Sequence, residues 1–301
     1  MERTDSHLHF WNPDRIDYFW LGDGAGALNR HVGLEELEAD RLAAEVCQGV
    51  FVQASHDPRE LNWVLTELER FPWVTGVVGW LDLTAPDFGA QALAAMQDAR
   101  FRGVRHLTHD VPDAGWLGRD DVGAGLDVLN ELGLSLDLVL RPEQLALAAG
   151  VVRRHPGLSV VLDHLGNPPL AGGDLRGWRA DLEALAALPN VSAKVSGLLT
   201  LLAPGQDHDL LREAVHTAFD LFGADRLMYG GDWPVATLAA GYGATLDTLT
   251  SVLPVLSPGE AQAFWSGTAD RVYRLALDRA APGADRTPPD HTPSDHTQVR
   301  A

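Results

Sequence analysis

Cysteine is nearly absent from this chain: Cys47 is the only one among 301 residues. No intrachain disulfide can form, which fits a reducing compartment and makes a cytoplasmic protein the expectation. Long apolar runs are missing too, so no membrane span is expected. The N-terminus lacks the basic-then-apolar order of a secretory signal. Positive charge is scarce: 23 Lys and Arg stand against 42 Asp and Glu, a formal net charge of -19. That argues against nucleic acid as a partner. It says little about a small substrate, since a local basic patch can sit in an acidic body. No glycine-rich phosphate loop follows any apolar run, and Gly22, Gly24 and Gly26 follow no strand. An open nucleotide-binding sheet and an organic cofactor therefore lack support.

What is present is alternation. Hydrophobic residues make up 46% of the chain, enough for a sizeable core. Short Val- and Leu-rich runs at 4–10, 49–54, 74–81, 102–106, 134–140, 158–164, 191–196 and 226–232 read as strands buried on both faces. Amphipathic stretches at 34–47, 58–70, 88–99, 121–132, 143–154, 174–188 and 209–222 read as helices between them, with further helices near 245–253 and 258–275. Pro58 and Pro142 suit first helical turns. Gly133 and Gly223 sit where C-terminal caps belong. Eight strand–helix units in one chain of this length predict a closed (β/α)8 TIM barrel, α/β in class, over 1–281. Residues 282–301 are rich in Pro, Asp and Thr with no apolar period and are expected to be disordered.

Sites of such barrels lie at the C-terminal strand ends, and chemistry gathers there. Strand one carries Asp5-Ser6-His7-Leu8-His9, whose alternation puts Asp5, His7 and His9 on one face. Two imidazoles on one strand end can hold a metal or polarise an oxygen. Strand two offers Gln53. Strand four offers Arg105 and His106, with His109 and Asp110 beyond. Strand five offers only Arg141, strand six His164, strand seven Lys194, and strand eight Asp232 followed by Trp233. Lys194 and Arg105 are charges within apolar strands, so each needs a partner or a ligand. Asp163 and Asp82 read as structural, their parity pointing as readily toward helices as toward the mouth. A long loop over 11–31 holds Trp11, Tyr18, Phe19 and Trp20. It suits a lid or a sugar-stacking wall, although Phe19 and Trp20 equally suit packing within the loop.

His7-x-His9, Gly103-Val104-Arg105-His106, Leu162-Asp163-His164-Leu165-Gly166, Ala193-Lys194-Val195-Ser196-Gly197 and Gly231-Asp232-Trp233-Pro234 together resemble the amidohydrolase superfamily. The finer likeness is to its aldonolactonase-like branch, which includes fuconolactonase- and rhamnonolactonase-like hydrolases, and it runs from about Thr4 to Leu275. Gly231, where such enzymes often have Ser, and Asn167, where Lys is frequent, depart from the pattern. The resemblance implies a hydrolase opening a sugar-derived lactone. Asp232 would be the general base, with His7, His9 and His164 around the carbonyl. Arg105, Lys194, Gln53, His106, Trp11 and Trp233 would bind substrate. Binuclear members use a modified Lys on strand four and a His on strand five, and neither is here. No two-metal centre is expected, because Arg105 cannot form the bridging carbamate. One weakly held divalent ion, zinc before others, is expected on His7, His9 and Asp232. Three other readings stay open. An acidic pyrone or muconolactone would be held by Arg105, Arg141 and Lys194. A related decarboxylase would protonate a carbanion, and a silent barrel would only bind a sugar acid.

Overall fold

The computed structural model describes residues 1–275, and the expected tail at 282–301 lies outside them. Eight strands form one parallel sheet in sequence order. They are β1 Arg3–Leu8, β2 Val46–Val52, β3 Val74–Gly79, β4 Phe101–His106, β5 Ser135–Leu138, β6 Ser159–Leu162, β7 Val191–Val195 and β8 Leu227–Tyr229. The eight-unit (β/α) reading therefore holds, with shorter strands than the apolar runs suggested. β8 stops at Tyr229, so Asp232 sits in the loop beyond it. Helices α1 Glu38–Ala43, α2 Glu60–Glu67, α3 Phe88–Ala95, α4 Asp120–Leu132, α5 Leu145–Arg154, α6 Arg176–Ala186, α7 Asp209–Phe222 and α8 Tyr242–Val252 follow the strands in turn. The first is much shorter than expected, because β2 already begins at Val46. Gly133 caps α4 in the left-handed region at φ 65°, as its position after the helix predicted. The final expected helix is broken: α9 Pro258–Gln262 and α10 Thr268–Tyr273 flank a π-turn that buries Phe264 and Trp265. Val50, Val52, Val78, Val161 and Met228 fill the floor of the barrel against Tyr273 and Leu275. Among the described residues no helix is long and apolar enough to cross a membrane.

The barrel closes at β8–β1 through the very residues singled out for chemistry. The Asp232 amide donates to the His7 carbonyl at 2.7 Å, and the His9 amide to the Trp233 carbonyl at 2.7 Å. Asp5 does not join the histidines as strand alternation suggested. Its Oδ1 accepts from the amides of His7 (3.0 Å) and Gly231 (2.8 Å), and its Oδ2 accepts from the Tyr242 hydroxyl at 2.7 Å. The carboxylate is thus a clasp across the seam, and burial pushes its pKa up to about 6 against those hydrogen bonds. A Cβ at Gly231 would lie 2.4 Å from Asp5 Oδ2 and 2.5 Å from the Tyr242 ring. Glycine at that position makes room for the clasp.

A second clasp fastens the aromatic loop over the mouth. Glu60, at the start of α2 and buried, accepts the Ala54 amide on both oxygens at 3.1 and 3.2 Å. Ala54 in turn accepts the Trp20 indole N–H at 2.7 Å, and the Ser55 hydroxyl donates to the Asp17 carbonyl. Burial lifts the Glu60 carboxyl to about 8.

Two measurements test these clasps. Tyr242→Phe leaves Asp5 Oδ2 without its donor and is expected to lower unfolding free energy by about 1–3 kcal/mol. An unchanged urea midpoint would refute the clasp. For Glu60 the folded pKa lies above the ordinary value, so the folded chain binds more protons than the unfolded one between pH ~4.5 and ~8. Glu60 therefore erodes stability as pH rises through that window, by about 1.4 kcal/mol per unit. Urea unfolding at several pH values should show Glu60→Gln gaining on the wild type from pH 5 to 8. Parallel pH profiles would show that burial does not govern this carboxyl.

Candidate active site

β1 aims His7 inward, and His9 follows just past its end; their Nε2 atoms lie 3.1 Å apart. Asp232 Oδ1 stands 3.6 Å from His7 Nε2 and 3.4 Å from His9 Nε2. Burial, before any other cause, holds both imidazoles below their ordinary pKa, so both are neutral. His9 Nδ1 is 2.7 Å from the Val52 carbonyl, which can only accept. The proton therefore sits on Nδ1, and the Nε2 lone pair faces His7 and Asp232. Two imidazoles and a carboxylate with donor atoms within 4.8 Å of one another fit a single divalent ion.

His164 reaches the same place by a different route. Residues His164, Leu165, Gly166 and Asn167 all have positive φ, between 52° and 69°. This left-handed run breaks strand parity after β6, so Asp163 and His164 both turn toward the barrel interior. His164 Nδ1 lies 2.9 Å from Ser196 Oγ, and its ring centroid is 4.6 Å from that of His7. Asp232, at φ 52°, is a second left-handed non-glycine residue. Between them is Gly197, at φ 64°, where a Cβ would sit 2.7 Å from His164 Nδ1 and 2.8 Å from Asp232 Oδ2. Only glycine leaves that approach open.

Above these residues lies a cavity of about 500 Å³. His9, Arg105, His164 and Asp232 form its polar floor; Trp20, Leu28, Leu107, Val139, Leu201, Val235 and Leu238 give an apolar wall; Thr200, Asn167, His109 and Asp110 stand among them. Burial pushes the His109 imidazole down to about 4.

The structure separates the substrate-binding candidates. Arg105 lines the cavity but is held from behind: Nε donates to Gln53 Oε1 at 2.8 Å, one terminal nitrogen to Asp163 Oδ2 at 3.1 Å, and the other to the Gln53 carbonyl. Gln53 is fully buried and supports Arg105 rather than facing the cavity. His106 is bonded to the Leu81 carbonyl at 2.9 Å between the Trp80 and Trp116 rings, off the wall, its pKa lowered to about 4 by burial. Trp11 is wholly buried with its indole N–H on the Leu28 and Arg30 carbonyls, and Trp233 is also packed off the wall. Trp20, which suited simple loop packing, is the tryptophan that faces the cavity, with its ring edge-on to Trp11 at 4.9 Å.

Lys194 is likewise not at the wall. It is fully buried, 2.6 Å from Asp137 Oδ2, 3.0 Å from Asp163 Oδ1 and 3.2 Å from His7 Nδ1. Asp163, read as structural, is therefore central. Burial pushes its carboxyl up, but Lys194, His7 and Arg105 outweigh that and hold it well below the usual range. Asp137 in β5 gave no signal beyond being a lone charge in a short apolar run; its partner is a lysine 57 residues away. Of the two departures from the branch pattern, Gly231 lies at the seam, whereas Asn167 is on the cavity wall and bonded to the Leu140 carbonyl at 2.8 Å.

Comparison with known proteins agrees with this geometry. L-fucono-1,5-lactonases from Burkholderia ambifaria and Burkholderia multivorans are 32% and 35% identical to this chain, each match covering 91% of it and 96% of the relative. A solved amidohydrolase from Burkholderia multivorans with bound zinc superposes with a TM-score of 0.84 at 35% identity, covering 91% of this chain and all of that one. The amidohydrolase family model matches residues 4–275. With eight parallel strands around these histidines and Asp232, the chain belongs to the amidohydrolase family.

Proposed function

We propose that this chain is a lactonase that opens a neutral, sugar-derived aldonolactone, with one divalent ion, zinc before others, held by His7, His9 and Asp232. The observation that carries the reading is the convergence of His9, Asp232 and His164 on the floor of a largely apolar-walled cavity, with His7 buried directly beneath them. The L-fucono-1,5-lactonase relatives and the zinc-bound neighbour support the substrate class and the metal. When bound, the ion supplies Lewis acidity for the lactone carbonyl. Asp232 takes the proton of the attacking water as the C–O bond to the carbonyl carbon forms. In the tautomer with its proton on Nε2, for which Ser196 Oγ donates to Nδ1, the His164 ring offers that proton to the developing oxyanion. Collapse of the tetrahedral centre breaks the bond to the ring oxygen, which takes the proton from Asp232. The new carboxylic acid then ionises, so each turnover releases one proton. Leu28, Leu201, Val235 and Leu238 suit the methyl of a deoxy sugar, and Trp20 offers its ring to the sugar face.

An acidic pyrone or muconolactone fits this cavity less well. Lys194 is buried away from it, Arg105 is already paired with Asp163, and Arg141 is largely exposed and 3.7 Å from Asp110. Asp110 on the wall adds a carboxylate that repels a second one. The lone cysteine, Cys47, is exposed and unpaired, in keeping with a cytoplasmic setting.

A panel of lactones followed by proton release tests the reading. Deoxy-aldonolactones are expected to turn over faster than pyrone dicarboxylates, linear amides or phosphotriesters. Asp232→Asn is expected to fold and to lose about 10²–10⁴ in kcat. Loss of carbon dioxide instead of addition of water, or near-wild-type turnover by Asp232→Asn, would remove the mechanism.

A further inference from the structure

Of the 23 basic Lys and Arg residues, one alone is lysine, and it is Lys194. It sits on β7 with no exposed surface. Its ammonium touches two carboxylate oxygens and an imidazole nitrogen: Asp137 Oδ2 at 2.6 Å, Asp163 Oδ1 at 3.0 Å and His7 Nδ1 at 3.2 Å. Paired carboxylate oxygens of this kind commonly hold a divalent cation. Both Asp137 oxygens accept hydrogen bonds. Oδ2 takes them from Lys194 and from the Tyr273 hydroxyl at 2.6 Å, and Oδ1 takes one from Ser135 Oγ at 3.2 Å. Burial pushes the pKa of the Asp137 carboxyl up, and the Lys194 ammonium and the Tyr273 hydroxyl work against that push. The His9 and Asp232 side of His7, at Nε2, is one cation position. The Asp137 and Asp163 carboxylates that hold the ammonium make a second, beside the Nδ1 edge of the same ring, with His7 a neighbour of it and a ligand only of the first.

We propose that Lys194 is a tethered cation filling the second of these positions, and that it limits the site to a single exchangeable metal ion. The inference rests on the single-ion reading above and deepens it. The arithmetic of charge favours it. Asp137 and Asp163 are balanced by Lys194 and Arg105, and without the lysine an uncompensated buried carboxylate remains, which draws in either a proton or a cation. A compact ammonium fits between two carboxylates and an imidazole, whereas the planar fork of arginine does not. This accounts for a lysine here in a chain that uses arginine everywhere else.

The test compares the full chain with Lys194→Ala, each saturated with zinc, freed of unbound metal and analysed for zinc content and melting temperature. Lys194→Ala is expected to hold one zinc equivalent more than the wild type and to gain more thermal stability from added zinc. Lys194→Met combined with Asp137→Asn removes one charge of each sign and is expected to return to the wild-type count. If Lys194→Ala gains neither an equivalent nor extra zinc-dependent stability, the proposal is overturned, and that includes a variant that stays unfolded in zinc. A double variant that still carries the additional equivalent overturns it as well. The difference between the chains is the measure of Lys194. A wild-type count of zero would unseat the single-ion reading while leaving that difference readable, and a count of two would overturn both.

Discussion

The negative charge of Asp163 is what the interior of this barrel is organised around. Arg105 from β4, Lys194 from β7 and His7 from β1 all converge on it. Through those three it is linked to Gln53 on the second strand unit and Asp137 on the fifth. A buried carboxylate without such partners would be costly, and each partner is costly without it. The network therefore has one low-energy arrangement, and the side chains at the cavity floor inherit its rigidity. Arg105 is aimed by Gln53 and Asp163, and His7 by Lys194 and Asp163. That preorganisation lets a few groups act on developing charge without rearranging.

A second constraint is backbone geometry at the ends of β6 and β8. His164 and Asp232 both hold left-handed conformations that side chains other than glycine rarely adopt. Each is stabilised by surroundings that leave no alternative. The Asp232 amide closes the barrel on His7, and residues 164–167 form a continuous left-handed run fastened by Asn167 to the Leu140 carbonyl. Strained backbone and chemically useful side chains coincide at both places. The closing seam of the barrel is thus also the edge of the site.

Much was legible from the chain alone. The eight apolar runs with helices between them specified the barrel, because strands covered on both faces carry few polar residues and any exception stands out. His7, His9, His164 and Asp232 stood out in that way, and the structure brings all four together. Their clustering followed from one rule: polar groups at the C-terminal ends of parallel strands share a mouth.

What the chain alone did not decide was depth and direction. Lys194 was visible as a charge in an apolar strand and Asp137 was passed over, and that they pair with each other, below the cavity, depends on register between β5, β6 and β7. Asp163 was misjudged because alternation was extended past β6, where four left-handed residues cancel it. Trp11 and Trp20 exchanged roles for a similar reason. In an irregular loop no period tells which ring faces inward, and hydrogen bonds to the Leu28, Arg30 and Ala54 carbonyls decide it. Local pattern determined which residues are buried and which strand ends carry chemistry. Only the closed barrel, by fixing register and turning the chain at its strand ends, determined which buried charges meet each other and which meet the cavity.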